Sequence, residues 1–362
     1  MLFDSIIEAV YRKAEYPAID FQTEAWSRSR PLEGLSILEA TPVFRNTLVK
    51  YRALLAAGAT LSFGISDVVQ KDEKIVSRLL DLGFNVVTPS TVNDQYDLVL
   101  DCAGQFAALT PRIGFVELTR SGVYKYEGAS KPVYIADSGI IKRIETSLGT
   151  GDGYFRALSL LGYTDWKKKY FVVFGSGKVG RGIIAYALRY GAHVSVVTDT
   201  RIEDTNSLPQ EIASVVDFRD IDSILSLVSQ AHYVVSATGH MNALANEKIV
   251  KSIMHSKALV ANMGVEDEFG PEIPASRVLN QKRPLNFLLE EPTHLMYIDA
   301  TFALHNALAV KLVETTLPAG LWEPPPEIER ELLEVTRDRG LIGDDLDFLL
   351  GIYLKIDLRP QN

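Results

Sequence analysis

Residues 170–199, YFVVFGSGKVGRGIIAYALRYGAHVSVVTD, constrain the fold more than any other stretch of the chain. An apolar run, Phe171, Val172, Val173 and Phe174, leads directly into Gly175, Gly177 and Gly180 in the G-x-G-x-x-G spacing. A helical apolar pattern follows on Ile183, Ile184, Ala187 and Leu188, and Gly191 ends it. A valine-rich run, residues 194–197, then stops just before Asp199. The glycine spacing alone is common. A strand entering it, a helix leaving it and a second strand ending in an acid make it a dinucleotide-binding unit. Gly175 permits the tight turn, Gly177 lets backbone approach a pyrophosphate, and Gly180 lets the helix lie close on the sheet. The pyrophosphate then meets unpaired N–H groups at the positive end of the helix dipole.

The candidate cofactor residues are therefore Gly175, Ser176, Gly177, Lys178, Val179 and Gly180 of the loop, with Asp199 beyond the second strand. The Asp199 carboxylate can accept hydrogen bonds from the adenosine ribose hydroxyls and repels a 2′-phosphate, so NAD is expected over NADP. Arg201, two residues on, weakens that preference slightly. Two later strand ends belong to the same face, VSATG at 235–239 and VANMG at 260–264. Their small residues admit a nicotinamide ribose, which adds Thr238, Gly239, Asn262 and Met263 to the expected cofactor set.

The first half alternates strand patterns (35–40, 60–65, 84–88, 96–101, 113–118) with helical ones (42–57, 72–82). Such alternation implies βαβ units and a parallel sheet. The chain is thus expected to be α/β, with two α/β domains and a helical C-terminal segment. Residues 1–147 form a substrate-type domain and 148–298 a doubly wound Rossmann domain. Residues 299–362 pack back on the first domain or on a partner subunit. Residues 1–21 read as one amphipathic helix, and LGTGDG at 148–153 as a glycine-rich hinge or surface loop. Pro324, Pro325 and Pro326 read as a linker into a final charged helix.

At 362 residues the chain exceeds one ordinary core. A net charge of −9 disfavours nucleic acid and anionic membrane as partners and leaves a small-molecule substrate. No run approaches the roughly 18 apolar residues that a membrane span takes. The single cysteine, Cys102, excludes an internal disulfide framework and suits a cytoplasmic protein. No metal-ligand spacing is present.

The order of these motifs resembles the adenosylhomocysteinase family, over residues 35–313 and better in the second half. FGSGKVGRG stands at its glycine loop, VSATGHMNAL at its Thr-Gly turn and VANMGVEDEFG at its Asn-x-Gly turn. In the first half YDLVLDCAGQ resembles its Asp-Asp-Gly-Gly-Asp segment and IGFVELTRSGV its Glu-Glu-threonine segment. The resemblance implies bound NAD, a reversible oxidation of substrate, and a homodimer or higher homo-oligomer. The departures fall on the substrate chemistry. Cys102 replaces the second Asp, Leu118 the second Glu, Ile141 the ribose-binding Lys, and Glu145 and Thr146 the following Asp and Asn. Lys142 is adjacent, so Lys142 and Glu145 are the expected substrate residues.

Hydride transfer from an alcohol needs a base with a pKa near the working pH, and histidine is the usual choice. His240 follows the Thr238-Gly239 turn, His294 lies in EEPTHLMYID, and His305 sits on a C-terminal helix; these are the candidate catalytic residues. Glu266, Asp267 and Glu268 read as a solvated acidic loop. The reading expected first is an NAD-dependent oxidoreductase acting on a small polar metabolite, a hydroxy or amino acid. The alternatives are an adenosylhomocysteinase-like hydrolase or lyase using tightly bound NAD transiently, and a silent nucleotide-binding or regulatory protein.

Overall fold

The computed structural model describes residues 3–93, 95–137, 139–343 and 345–346. The chain divides into two units, Met1–Lys142 with Leu295–Gly343 and Arg143–His294 with Asp344–Asn362.

The first unit opens with helices α1 (Asp4–Glu8) and α2 (Pro17–Ser29). Alternation then begins: β1 (Ser36–Glu39), α3 (Thr47–Ala56), β2 (Thr60–Gly64), α4 (Glu73–Asp81) and β3 (Asn85–Val87). It continues with β4 (Leu98–Asp101), β5 (Gly114–Glu117), β6 (Pro132–Ile135) and α5 (Gly139–Arg143). Every residue of β4, β5 and β6 is buried. Such runs are apolar on both faces because helices cover both sides of a parallel sheet. The expected single amphipathic helix over 1–21 is corrected here, since helix stops after Glu8 and restarts at Pro17. Pro17 has no N–H to give an inner turn and fits only the first one.

The second unit holds α6 (Thr150–Leu160), β7 (Tyr170–Phe174), α7 (Lys178–Arg189), β8 (His193–Thr198) and β9 (Ser214–Asp217). It continues with α8 (Ile221–Gln230), β10 (Tyr233–Ser236), α9 (Glu247–His255) and β11 (Leu259–Asn262). The five parallel strands run in the order β11-β10-β7-β8-β9. The order reverses at β7, so the crevice for a ligand opens beyond the carboxyl end of that strand. The core beneath it gathers Val172, Phe174, Val234, Val260 and Ile253.

The glycine-rich break expected at 148–153 is also corrected. A π-helical turn, Ile144–Gly149, runs directly into α6. The glycines there serve helix contact: a Cβ on Gly151 would lie 2.6 Å from the Gly182 backbone of α7, and one on Gly182 would collide with the Ser147 carbonyl.

The chain returns to the first unit with α10 (Leu295–Glu314), β12 (Gly320–Trp322) and α11 (Pro326–Arg339). The expected helical segment also contains β12, which pairs in parallel with β6 and completes the order β12-β6-β5-β4-β1-β2-β3. Residues 347–362, assigned to that segment, lie outside the described residues. Asp299 of α10 is fully enclosed and accepts the amides of Ala18 (2.8 Å) and Ile19 (3.1 Å), capping the start of α2. Glu329 of α11 accepts the Ile141 amide at 2.9 Å. These acceptors satisfy helix N-terminal donors that burial would leave without water.

Candidate functional site

A cleft of ≈ 440 Å3 opens at the carboxyl end of β7, floored by Phe174, Gly175, Ser176 and Gly177. The glycine loop is held rigidly. Gly175 has φ +99°, and a Cβ there would meet the Ala237 carbonyl carbon at 2.7 Å. A Cβ on Gly180 would fall onto the Gly175 carbonyl. Ser176 Oγ bonds Thr198 Oγ1 at 2.8 Å, and Arg181 Nε donates to the Ser176 carbonyl at 2.9 Å. Gly177 differs: nothing lies within 4 Å of its would-be Cβ. It is also the N-cap of α7, in extended backbone with no side-chain cap. That leaves open approach to the amide end of a twelve-residue helix, the arrangement that receives a pyrophosphate.

Thr198, Asp199, Ile202, Glu203 and Phe218 form one wall of the cleft, and Thr238, His240, Ala243 and Leu244 another. Because β8 and β10 flank β7, Asp199 and His240 stand on opposite flanks of the glycine loop. Asp199 is tied to two arginines, accepting from Arg201 Nη2 and Arg219 Nη2 at 3.1 Å each.

The turn after β10 has a support that the sequence did not suggest. Glu268, read as part of a solvated acidic loop, is completely buried. Its carboxylate accepts the amides of Thr238 (2.8 Å) and Gly239 (2.7 Å) and the Ser236 hydroxyl. Asp267 accepts from Lys282 Nζ at 2.7 Å and from the amides of Phe269 and Gly270. Gly264 has room for no side chain, since a Cβ there would meet the Glu268 carboxylate.

Of the expected cofactor residues, Gly175, Ser176, Gly177, Asp199 and Thr238 line this one cleft. Lys178, Val179 and Gly180 form the first turn of α7 behind it, and Gly239 is bound by its amide to Glu268. Asn262 is buried and fully engaged: Nδ2 donates to the carbonyls of Gly264, Glu266 and Lys282, and Oδ1 accepts the Gly264 amide. Met263 beside it is also buried.

The three histidines are dispersed. His240 lines the cleft and is exposed. His294 Nδ1 lies 3.0 Å from Asp152 Oδ2, a carboxylate that also receives Arg156 Nε at 2.6 Å. His305 is buried in the first unit with Nε2 2.9 Å from the Val116 carbonyl. Burial, with the Lys50 and Lys142 charges nearby, holds its pKa well below the usual imidazole range. A ring so placed stays neutral and does not collect protons at neutral pH. Lys142 is buried on α5, and Glu145 is half-buried on the turn that follows.

At the carboxyl edge of the first sheet, Asp101 accepts the amides of Cys102 and Phe106 (2.8 Å each) and the Tyr126 hydroxyl at 2.6 Å. Glu117 accepts the amides of Ala103 (2.8 Å), Gly104 (2.9 Å) and Thr119 (2.8 Å). Burial, then the neighbouring Glu117 charge, pushes the Asp101 pKa up to about 7. Among the described residues, no cluster of three or more His, Cys, Asp or Glu is arranged to hold a metal ion. No described helix is long and apolar enough to cross a membrane.

Comparison with known proteins agrees with this architecture. The Shikimate / quinate 5-dehydrogenase family matches residues 157–272, the heart of the second unit. The adenosylhomocysteinase of Sulfurisphaera tokodaii is 26% identical over 68% of this chain and 64% of its own length, a little short of two thirds of that protein. An S-inosyl-L-homocysteine hydrolase from Methanosarcina acetivorans is 25% identical over 98% of both chains. A solved dipicolinate synthase chain from Bacillus halodurans aligns over 79% of this chain and all of its own at 16% identity, with a TM-score of 0.47.

The chain is similar, at low identity, to the adenosylhomocysteinases.

Its second unit has the Rossmann form of NAD-binding proteins, with an open Gly177 at the start of α7 and Asp199 in the same cleft. Asp101 and Glu117, the first acids of the two acidic segments, are kept and hold backbone turns. The second acids are replaced by Cys102 and Leu118, both buried.

Proposed function

We propose that the protein is an NAD-dependent oxidoreductase that transfers hydride to or from a small polar metabolite, a hydroxy or amino acid. The observation that carries this reading is the cleft itself, with Gly177 open to a ligand and Asp199 beyond β8. The pyrophosphate lies against the amide end of α7, whose N-cap Gly177 brings no side-chain cap. Ile202 and Phe218 are exposed apolar side chains that an adenine ring would cover. Bound NAD supplies the hydride acceptor. His240 is the histidine of the three that can touch the dinucleotide, and Lys142 and Glu145 are the proposed substrate contacts. The buried Cys102 and Leu118 argue for a substrate other than a homocysteine nucleoside, because they offer no carboxylate to bond its hydroxyls.

The second reading, a hydrolase or lyase that uses tightly held NAD transiently, is favoured by the end-to-end similarity to the S-inosyl-L-homocysteine hydrolase. One experiment separates the two. The full-length protein is incubated with NAD and a panel of hydroxy and amino acids, and separately with S-adenosyl- and S-inosylhomocysteine. Net NADH formation with a panel member supports the oxidoreductase. Release of free homocysteine without net NADH replaces it with the hydrolase.

A further inference from the structure

Arg181, in the first half of α7, is half-buried and does not line the cleft, yet it grips the glycine loop from behind. Its Nε donates to the Ser176 carbonyl at 2.9 Å, Nη1 to the Ser207 carbonyl at 3.2 Å and Nη2 to the Ser207 hydroxyl at 2.7 Å. Ser207 Oγ in turn donates to the Asp204 carbonyl at 2.6 Å, so that partner is itself fixed. Ser176 is pinned a second time through its Oγ bond to Thr198 Oγ1 at 2.8 Å. The peptide unit joining Ser176 to Gly177 is planar and trans, so its N–H points opposite to its C=O. With the carbonyl drawn toward Arg181, the Gly177 N–H turns to the other side, where the space around Gly177 is free and the cleft opens. Among the described residues, no acceptor meets that N–H. The residue type matters too. A guanidinium presents its donors in a rigid planar fork that reaches Ser176 and Ser207 together, whereas a lysine ammonium is a point charge on a flexible stem.

We infer that Arg181 is a positioning residue for the anion end of this cleft: by holding the Ser176 carbonyl it aims the Gly177 N–H at the ligand's pyrophosphate. The inference rests on the cleft being a dinucleotide site. Arg181 acts through the loop and does not touch the ligand. Its hold on Ser207 ties the segment that follows the wall residues Ile202 and Glu203 to the same loop.

The test is a nuclear magnetic resonance titration of the full-length protein, its glycine amides isotope-labelled, with ADP-ribose, which carries the pyrophosphate, and with adenosine, which does not. Circular dichroism establishes folding of each variant. In the wild type the Gly177 amide proton, identified by its absence from Gly177→Ala, moves downfield as ADP-ribose binds. Arg181→Ala weakens ADP-ribose binding about tenfold or more, the size of one charge-assisted hydrogen bond, and shrinks that movement, while adenosine affinity stays within about twofold. Arg181→Lys, with the charge kept and the fork lost, weakens ADP-ribose about threefold or more. A folded Arg181→Ala variant that loses ADP-ribose and adenosine alike overturns the inference, because the residue then supports the cleft as a whole. Wild-type affinity in Arg181→Lys overturns it too, because charge alone then suffices. If Arg181→Ala does not fold, the wild-type titration still decides: a Gly177 amide that stays in place while ADP-ribose binds overturns the inference and leaves the dinucleotide site intact. If the wild type binds neither ADP-ribose nor NADH, the dinucleotide reading fails and this inference with it.

Discussion

Asp101 and Glu117 face one another in register at the carboxyl ends of β4 and β5, both fully buried. Two like charges so placed resist ionising together, and the Asp101 pKa is pushed up to about 7 by burial first and by Glu117 second. Asp299, enclosed at the start of α2, is likewise pushed up to about 7 by burial. A carboxyl whose pKa is higher in the folded chain than in the unfolded one contributes stability that is fully present below about pH 4 and is lost as pH rises through about 7. His305 acts in the opposite sense, costing stability as pH falls below its ordinary value, but it is one group against two. Urea midpoints are therefore expected to fall between about pH 4 and 7 and to level off above it, with a limiting slope of about 1.4 kcal/mol per pH unit for each carboxyl. Asp299→Asn should flatten the curve by one group's share. A wild-type curve that rises across this interval would contradict the assignment.

Gly177 and Gly180 separate ligand space from packing space. Gly177→Ala places a methyl where no protein atom lies within 4 Å, at an ordinary negative φ of −70°. Its stability should stay within about 0.5 kcal/mol of the wild type, while NADH affinity falls by about tenfold or more because the methyl occupies the pyrophosphate's approach. Gly180→Ala drives a methyl into the Gly175 carbonyl and should destabilise the fold by about 2–4 kcal/mol. Calorimetry and NADH titration on both variants check the contrast. Equal loss of stability in both would mean that Gly177 faces protein.

Glu268 holds Thr238 and Gly239 by their amides, 2.8 and 2.7 Å from its carboxylate. Removing it takes the acceptor from two part-buried amides and from the buried Ser236 hydroxyl. Glu268→Ala should cost about 3 kcal/mol in urea unfolding and weaken NADH binding through the displaced turn. Stability within about 0.5 kcal/mol of the wild type would show that the turn holds itself.

His240→Ala tests the histidine in the cleft. On the opposite flank of the glycine loop from Asp199, beside Leu244, it is placed to contact the dinucleotide. Its loss should raise the dissociation constant for NADH about three- to tenfold. His305→Asn should leave that constant unchanged, since His305 is buried in the first unit and does not line this cleft. A His240→Ala variant with wild-type NADH affinity would remove His240 from the site.

Short-range signals were the legible ones. The strand, glycine loop, helix and acid at 170–199 are read from neighbours in sequence, and the structure places the elements where the pattern put them. The runs of β4 and β5 were equally plain, because burial on both faces keeps them apolar up to the closing acids Asp101 and Glu117. Other features depend on partners remote in sequence. β12 is three residues long and only partly buried, and its pairing with β6 has no local signature. β9 is a half-buried edge strand for the same reason. The glycines at 151 and 153 looked like a break because Gly is a poor helix former; the close approach of Gly151 to Gly182 is what outweighs that. Glu268 looked like a surface acid, and only the position of its three donors shows why a carboxylate is buried there. Arg219, paired with Asp199 across the β8–β9 edge, was equally hidden.

The most direct measurement of the central claim is binding of the dinucleotide itself. The full-length protein is purified without added nucleotide and denatured, released small molecules are identified by mass spectrometry, and the emptied or nucleotide-free protein is titrated with NADH. The account predicts stoichiometric nucleotide, either released on denaturation or bound in the titration, and a marked loss of both in Gly177→Ala. Folded wild-type protein that releases no nucleotide and binds neither NAD, NADH nor NADPH would contradict it.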